Sequence, residues 1–128
     1  MTAADDERAL IARYITAYNA FDIEGMLATL HPEVTFRNLS DGEVTATADG
    51  LEEFRALAER SAGFFSTRQQ TLRRFERDGT EARIEVDYEA VLKQDLGPGM
   101  RAGDRLKLSG RSRFGFRDGK IAMIVDES

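Results

Sequence analysis

The sequence predicts an α+β fold in which three amino-terminal helices pack on a strongly curved, mostly antiparallel sheet that encloses a pocket. Three observations predict it. Between Thr80 and Leu96, the residues Ala82, Ile84, Val86, Tyr88, Ala90 and Leu92 alternate with Arg83, Glu85, Asp87, Glu89 and Lys93, the pattern of a long half-buried strand. Arg105 to Arg117 repeats it, with Leu106, Leu108, Gly110, Ser112, Phe114 and Phe116 set against Arg105, Lys107, Ser109, Arg111, Arg113 and Arg117. The part of the chain before residue 64, which holds three stretches of apolar residues at helical spacing, reads as the cover for the sheet's apolar face. The two long strands read as partners, with Glu85, Asp87 and Glu89 opposite arginines on the outer face.

The first helix runs from about Ala3 to Ala20, opened by the Thr2/Asp5 capping pattern, with Leu10, Ile11, Tyr14, Ala17, Tyr18 and Phe21 as its apolar face. Asp22 caps a second, short helix that buries Met26, Leu27 and Leu30 and ends at His31-Pro32. Val34 to Leu39 begins the first strand, Ser40-Asp41-Gly42 turns the chain, and Val44 to Thr47 returns it. The third helix spans Gly50 to Ala62, with Asp49 as cap, Glu52 as capping-box acid, and Leu51, Phe54, Leu57 and Ala58 as the buried stripe. Thr67 to Arg77 is a strand of weaker alternation that enters the long strand through Asp78-Gly79, and Lys120 to Glu127 follows the last turn at Asp118-Gly119. Gly97-Pro98-Gly99 and Gly103 form an irregular loop between the long strands.

At 128 residues, 41% hydrophobic and 32% charged, the chain fits one domain, residues 1–128, with one core. A net charge of −5 argues against a nucleic-acid partner, whose phosphates need a basic surface. No apolar run is long enough to span a bilayer and the start, MTAADDERAL, is acidic, so no membrane partner and a cytoplasmic location are expected. Zero cysteines exclude disulfides, thiolate metal sites and a cysteine nucleophile.

Ala12-Arg13-Tyr14-Ile15, Asp22-Ile23-Glu24 and Val34-Thr35-Phe36-Arg37-Asn38 resemble the opening of ketosteroid isomerases, and Phe116-Arg117-Asp118-Gly119-Lys120-Ile121 resembles the last hairpin of the wider nuclear transport factor two-like and SnoaL-like families. The resemblance covers essentially the whole chain. It implies a cone-shaped α+β fold, and leaves the activity open among isomerases, cyclases, dehydratases, hydrolases and binding modules. Tyr14 matches the tyrosine that donates to the developing enolate oxygen. Asn38 stands where the isomerases carry the aspartate that moves the proton, and Ser112 where they carry the protonated aspartate of the oxyanion hole. An amide cannot act as a general base, which argues against a steroid Δ-isomerase.

Asp126 turns on the last hairpin. A two-residue turn at Asp118-Gly119 puts Arg117 opposite Lys120 and, counting outward, Arg111 opposite Asp126 as a surface salt bridge. A glycine bulge at Gly119 turns Ala122, Ile124 and Asp126 into the pocket, where burial raises the carboxyl pKa. Both registers stay open. His31, the only histidine, reads as a helix-end group, and Glu85, Asp87 and Glu89 read as ion-pair partners rather than metal ligands; no metal is expected.

Three functions follow. The first is a cofactor-independent isomerase, cyclase or dehydratase acting by proton transfer on a small, apolar, carbonyl-containing molecule. In it Tyr14 and Asp126 are catalytic, and Asn38, Phe36, Phe54, Ser112, Phe114 and Ile124 bind substrate. The second is a non-catalytic binding module with Asp126 outside the pocket. The third is a dimerisation domain whose interior is plugged by Phe36, Phe54, Phe64, Phe114 and Phe116. A homodimer through the outer sheet face is expected from the family resemblance.

Overall fold

In the computed structural model, which describes residues 2–128, helix α1 (Ala3–Asn19) starts on the expected capping box: the Thr2 side chain accepts from the Asp5 amide and the Asp5 carboxylate answers to Thr2. Its buried residues Leu10, Ile11, Tyr14, Ile15 and Ala17 fall on one face. The helix ends before Phe21, which takes the left-handed conformation at φ 57°, while the Asp22 amide donates back to the Ala17 carbonyl at 2.8 Å. A bulky residue in this conformation costs about 1–2 kcal/mol.

Helix α2 (Ile23–Leu27) is capped by Asp22, whose Oδ1 accepts from the Gly25 amide at 2.9 Å. It does not extend to His31-Pro32. The Thr29 carbonyl accepts from the Ile121 amide at 2.9 Å, so the chain is captured by the last strand before another helical turn can form. Strand β1 (Leu30–Ser40) therefore contains His31 and Pro32. Proline is tolerated because pairing with β2 begins at Thr35 and the register with β6 breaks between Leu30 and Thr35, leaving Pro32 outside both ladders. His31 is accordingly not a helix-end group. Its Nε2 lies 3.3 Å from Asp118 Oδ2 and 3.2 Å from Arg117 Nε, at the base of the last hairpin.

Strand β2 (Glu43–Asp49) precedes α3 (Leu51–Ala62). The expected Asp49 cap is replaced by Gly50 at φ 88°, a conformation that favours glycine, and the Gly50 amide donates to the Val34 carbonyl at 2.7 Å. Glu53, not Glu52, reaches back to the Asp49 amide, at 3.0 Å. Strands β3 (Phe65–Asp78), β4 (Glu81–Leu92), β5 (Arg105–Arg117) and β6 (Lys120–Glu127) complete a six-stranded sheet in the order β2-β1-β6-β5-β4-β3, parallel only between β1 and β6. The β3–β4 turn consists of Gly79 and Thr80, since Asp78 pairs with Glu81.

The long strands pair as expected, Ala82 with Phe114 and Ile84 with Ser112, and their inner residues Ala82, Ile84 and Phe114 are buried under the helices. The charged outer face is less regular than the simple cross-strand scheme. Glu89 meets Lys107 at 3.5 Å, but Asp87 turns to the bulged Arg73 of β3, and Glu85 has no ion-pair partner within 4.0 Å among the described residues.

The β5–β6 register decides the site. The turn is the two-residue one, with Asp118 and Gly119 both at positive φ and Arg117 opposite Lys120. One residue later the ladder skips Ala122: Phe116 pairs with Ile121, and Gly115 with Met123. This bulge shifts every following residue by one, so Asp126 lies opposite Ser112 and Arg111 opposite Glu127. The direct turn is thus combined with the inward face: of the two registers left open, the one with an Arg111–Asp126 salt bridge is not formed, and Arg111 meets Glu127 at 3.3 Å instead.

Candidate functional site

A cavity of about 390 Å³ lies between the helices and the concave face of the sheet. Helix α1 contributes Tyr14 and Tyr18, α3 Phe54, β1 Phe36 and Asn38, β3 Arg68, β4 Tyr88, β5 Ser112 and β6 Asp126. Its exposed walls are mainly apolar, and Tyr14, Asn38, Arg68, Ser112 and Asp126 are among the polar groups that line it.

Asp126 sits deep in the molecule yet keeps solvent contact through the cavity. The Ser112 hydroxyl donates to its Oδ1 at 2.6 Å. Its second oxygen has no hydrogen-bond partner among the described residues and is not sealed off, so it is available to a bound molecule. Burial pushes the carboxyl pKa from 3.8 up to about 6, and the Ser112 hydrogen bond opposes this only in part.

The alternation of α1 points Tyr14 inward, 5% exposed, its ring 6.1 Å from that of Phe114 and 6.4 Å from that of Phe54. Its hydroxyl has no hydrogen-bond partner among the described residues and is not sealed. Burial first, then the Asp126 charge, raise the phenol pKa well above its usual value, with Arg68 acting the other way; Tyr14 stays a proton-bearing donor.

Asn38 lies beside Asp126 in the parallel β1–β6 register, and its amide donates to Thr45 Oγ1 at 2.8 Å across the β1–β2 irregularity. Phe36 stacks edge-on against Phe54, centroids 5.7 Å apart, and both face the cavity. Phe114 and Ile124, expected to touch substrate, are instead packed in the core beneath it, 1% and 0% exposed. The interior is not plugged by phenylalanines, because Phe114 and Phe116 pack into the core and leave the space between Tyr14, Tyr18 and Tyr88 open.

Three further groups, Tyr18, Tyr88 and Arg68, line the cavity beyond the site residues the sequence suggests. Tyr18 donates to the Tyr88 hydroxyl at 3.0 Å, and both pKa values are raised by burial. Arg68 is buried on β3. Counting by two from the apolar Leu72 through Gln70 puts Arg68 on the inward face, which was the available signal.

A second concavity, about 460 Å³, lies on the outer sheet face among Arg74, Glu76, Arg83, Glu85, Arg111, Arg113 and Glu127. Its charges largely pair with one another in water, as Arg74 does with Glu76 at 2.9 Å, so it lacks the desolvated groups of the inner cavity. Among the described residues no group of three His, Cys, Asp or Glu side chains is placed to hold a metal ion. No helix among them is long and apolar enough to cross a membrane.

Helices on the concave face of an open, curved sheet, with a buried carboxyl and a tyrosine on the cavity wall, define an α+β cone of the nuclear transport factor two-like, ketosteroid isomerase-like class. The SnoaL-like domain model matches residues 11–124, and the chain belongs to that family. Among solved structures it is similar to a candidate polyketide cyclase from a Silicibacter species, at 27% identity and a TM-score of 0.72 over 93% of this chain and 85% of the other. A candidate polyketide cyclase from Xanthomonas campestris pv. campestris aligns at 23% identity and a TM-score of 0.79, over 99% and 93%. A protein with a ketosteroid isomerase-like fold from Catenulispora acidiphila aligns at 15% and 0.76, over 91% and 82%. A search of curated proteins finds no match.

Proposed function

We propose that this SnoaL-like protein is a cofactor-independent enzyme that binds a small, largely apolar carbonyl compound in the inner cavity and moves a proton on it. The observation that carries this reading is Asp126: a carboxyl on the cavity wall, held by Ser112 at 2.6 Å, with a pKa pushed up to about 6. Such a group is ionised at neutral pH and basic enough to accept a proton from carbon next to a carbonyl. The partnerless Tyr14 hydroxyl is the donor to the oxyanion that develops on the carbonyl, and Asn38 orients the substrate. The candidate polyketide cyclase at 27% identity supports a carbonyl-rich substrate. The same reading takes the ionic outer face as the surface of a homodimer.

The test uses 2-tetralone in deuterium oxide, with deuterium entry next to the carbonyl followed by NMR. The wild type accelerates exchange over buffer, and Asp126→Asn does not. An Asp126→Asn protein that exchanges as fast as the wild type overturns the assignment.

A further inference from the structure

Arg68 is a buried cation that the proposed chemistry does not use. It is 4% exposed and lines the cavity. Its Nε donates to the Tyr18 carbonyl at 2.8 Å, and its guanidinium carbon lies 3.8 Å from the centroid of the Tyr18 ring and 4.5 Å from that of Phe21. The two rings fix the guanidinium, and Phe21 does so from a left-handed backbone that a non-glycine residue adopts only under constraint. Nη2, by contrast, is sealed from solvent with no hydrogen-bond partner, and no carboxylate lies within 4.0 Å of the guanidinium among the described residues. Nη1 has no partner among the described residues either and is not sealed. A buried cation left in this state is costly unless an anion completes it.

We infer that the ligand carries a carboxylate, received by the free end of Arg68, at the end of the molecule remote from the reacting carbonyl. This rests on the inner cavity being the substrate site. The planar guanidinium suits a planar carboxylate, and Nη1, the nitrogen that is not sealed, is the atom that meets it. Of the arginines that line the cavity, Arg111 pairs with Glu127 and Arg60 is exposed, so Arg68 is the buried cation without a counterion among the described residues, and it balances one negative charge rather than a phosphate dianion. The remoteness follows from the sheet order: β3 and β6 are separated by β5 and β4, three strand spacings or roughly 14 Å along the sheet, shortened by its curvature. The ligand is therefore an elongated, mostly apolar monoacid, with its carboxylate at Arg68 and its carbonyl beside Asp126 and Tyr14.

Titration calorimetry with two rigid probes tests this: 6-acetyl-2-naphthoate, and 2-acetylnaphthalene, which keeps the ketone and lacks the acid. The wild type binds the acid about tenfold or more tightly than the ketone. Arg68→Gln loses that preference while its affinity for the ketone stays. Should Arg68→Gln not fold, Arg68→Lys keeps the charge, loses the fixed planar guanidinium and weakens the preference. A wild type that takes both probes equally, or takes neither, overturns the inference, as does a folded Arg68→Gln that keeps the preference. Deuterium exchange reads Asp126 and probe selectivity reads Arg68, so either proposal can fail while the other stands.

Discussion

Replacing Asp126 by asparagine separates the cost of the cavity carboxylate from its use. Folding raises the Asp126 pKa from 3.8 to about 6, so the folded protein holds this proton more tightly than the unfolded chain does. The sign follows: below pH about 4 the group is protonated in both states and costs nothing, and between pH about 4 and 6 the cost grows. Above pH about 6 it is fully present. The span is worth at most about 3 kcal/mol at about 1.4 kcal/mol per pH unit, less whatever water in the cavity relieves. Asparagine has the same shape, and its carbonyl still accepts from Ser112, so Asp126→Asn removes the cost and leaves the packing. Urea unfolding followed by circular dichroism, suited to a chain with no tryptophan, measures both proteins at pH 4 and pH 7. The stability advantage of Asp126→Asn is near zero at pH 4 and reaches up to about 3 kcal/mol at pH 7. A pH-independent difference, or a variant less stable at pH 7 than at pH 4 relative to wild type, refutes the desolvated carboxylate.

Tyr14→Phe keeps the ring contacts with Phe54 and Phe114 and removes a hydroxyl with no protein partner, so stability changes by less than about 0.5 kcal/mol while deuterium exchange slows; a loss of about 1–3 kcal/mol marks a structural hydroxyl instead. Ser112→Ala removes the hydrogen bond that holds the Asp126 pKa down, so the pH midpoint of exchange moves upward; a fixed or lowered midpoint contradicts the pairing. Phe114→Ala, at a side chain 1% exposed, costs about 3–5 kcal/mol in the same urea assay, and a smaller loss places Phe114 against an open wall. Sedimentation at low and high ionic strength shows a dimer that weakens with salt, because Lys107, Arg111 and Arg113 carry the outer face; a dimer unchanged in molar salt moves the interface elsewhere.

The helices and long strands are legible in the sequence because Leu10 to Ala17 and Ala82 to Leu92 hold their periods without interruption, and one buried face fixes each register. Legibility fails where an irregularity intervenes. Nothing in Lys120 to Glu127 marks Ala122 as the skipped residue, since the bulge answers to the packing of Ile121 and Ile124 in the core. Pro32 suggests a break and lies in a strand because the break is in the ladders on either side of it. Arg68 escaped because its strand alternates weakly and bulges at Ser66 and Arg73, so its inward face carries polar residues where apolar ones are the usual signal.

The most direct measurement is a carbon-13 NMR titration of the Asp126 carboxyl, assigned by its absence in Asp126→Asn. A carboxyl held on the cavity wall titrates with a midpoint near pH 6 that rises in Ser112→Ala. A midpoint at or below about 4 in the wild type, unmoved by Ser112→Ala, contradicts a carboxyl held out of water on the cavity wall.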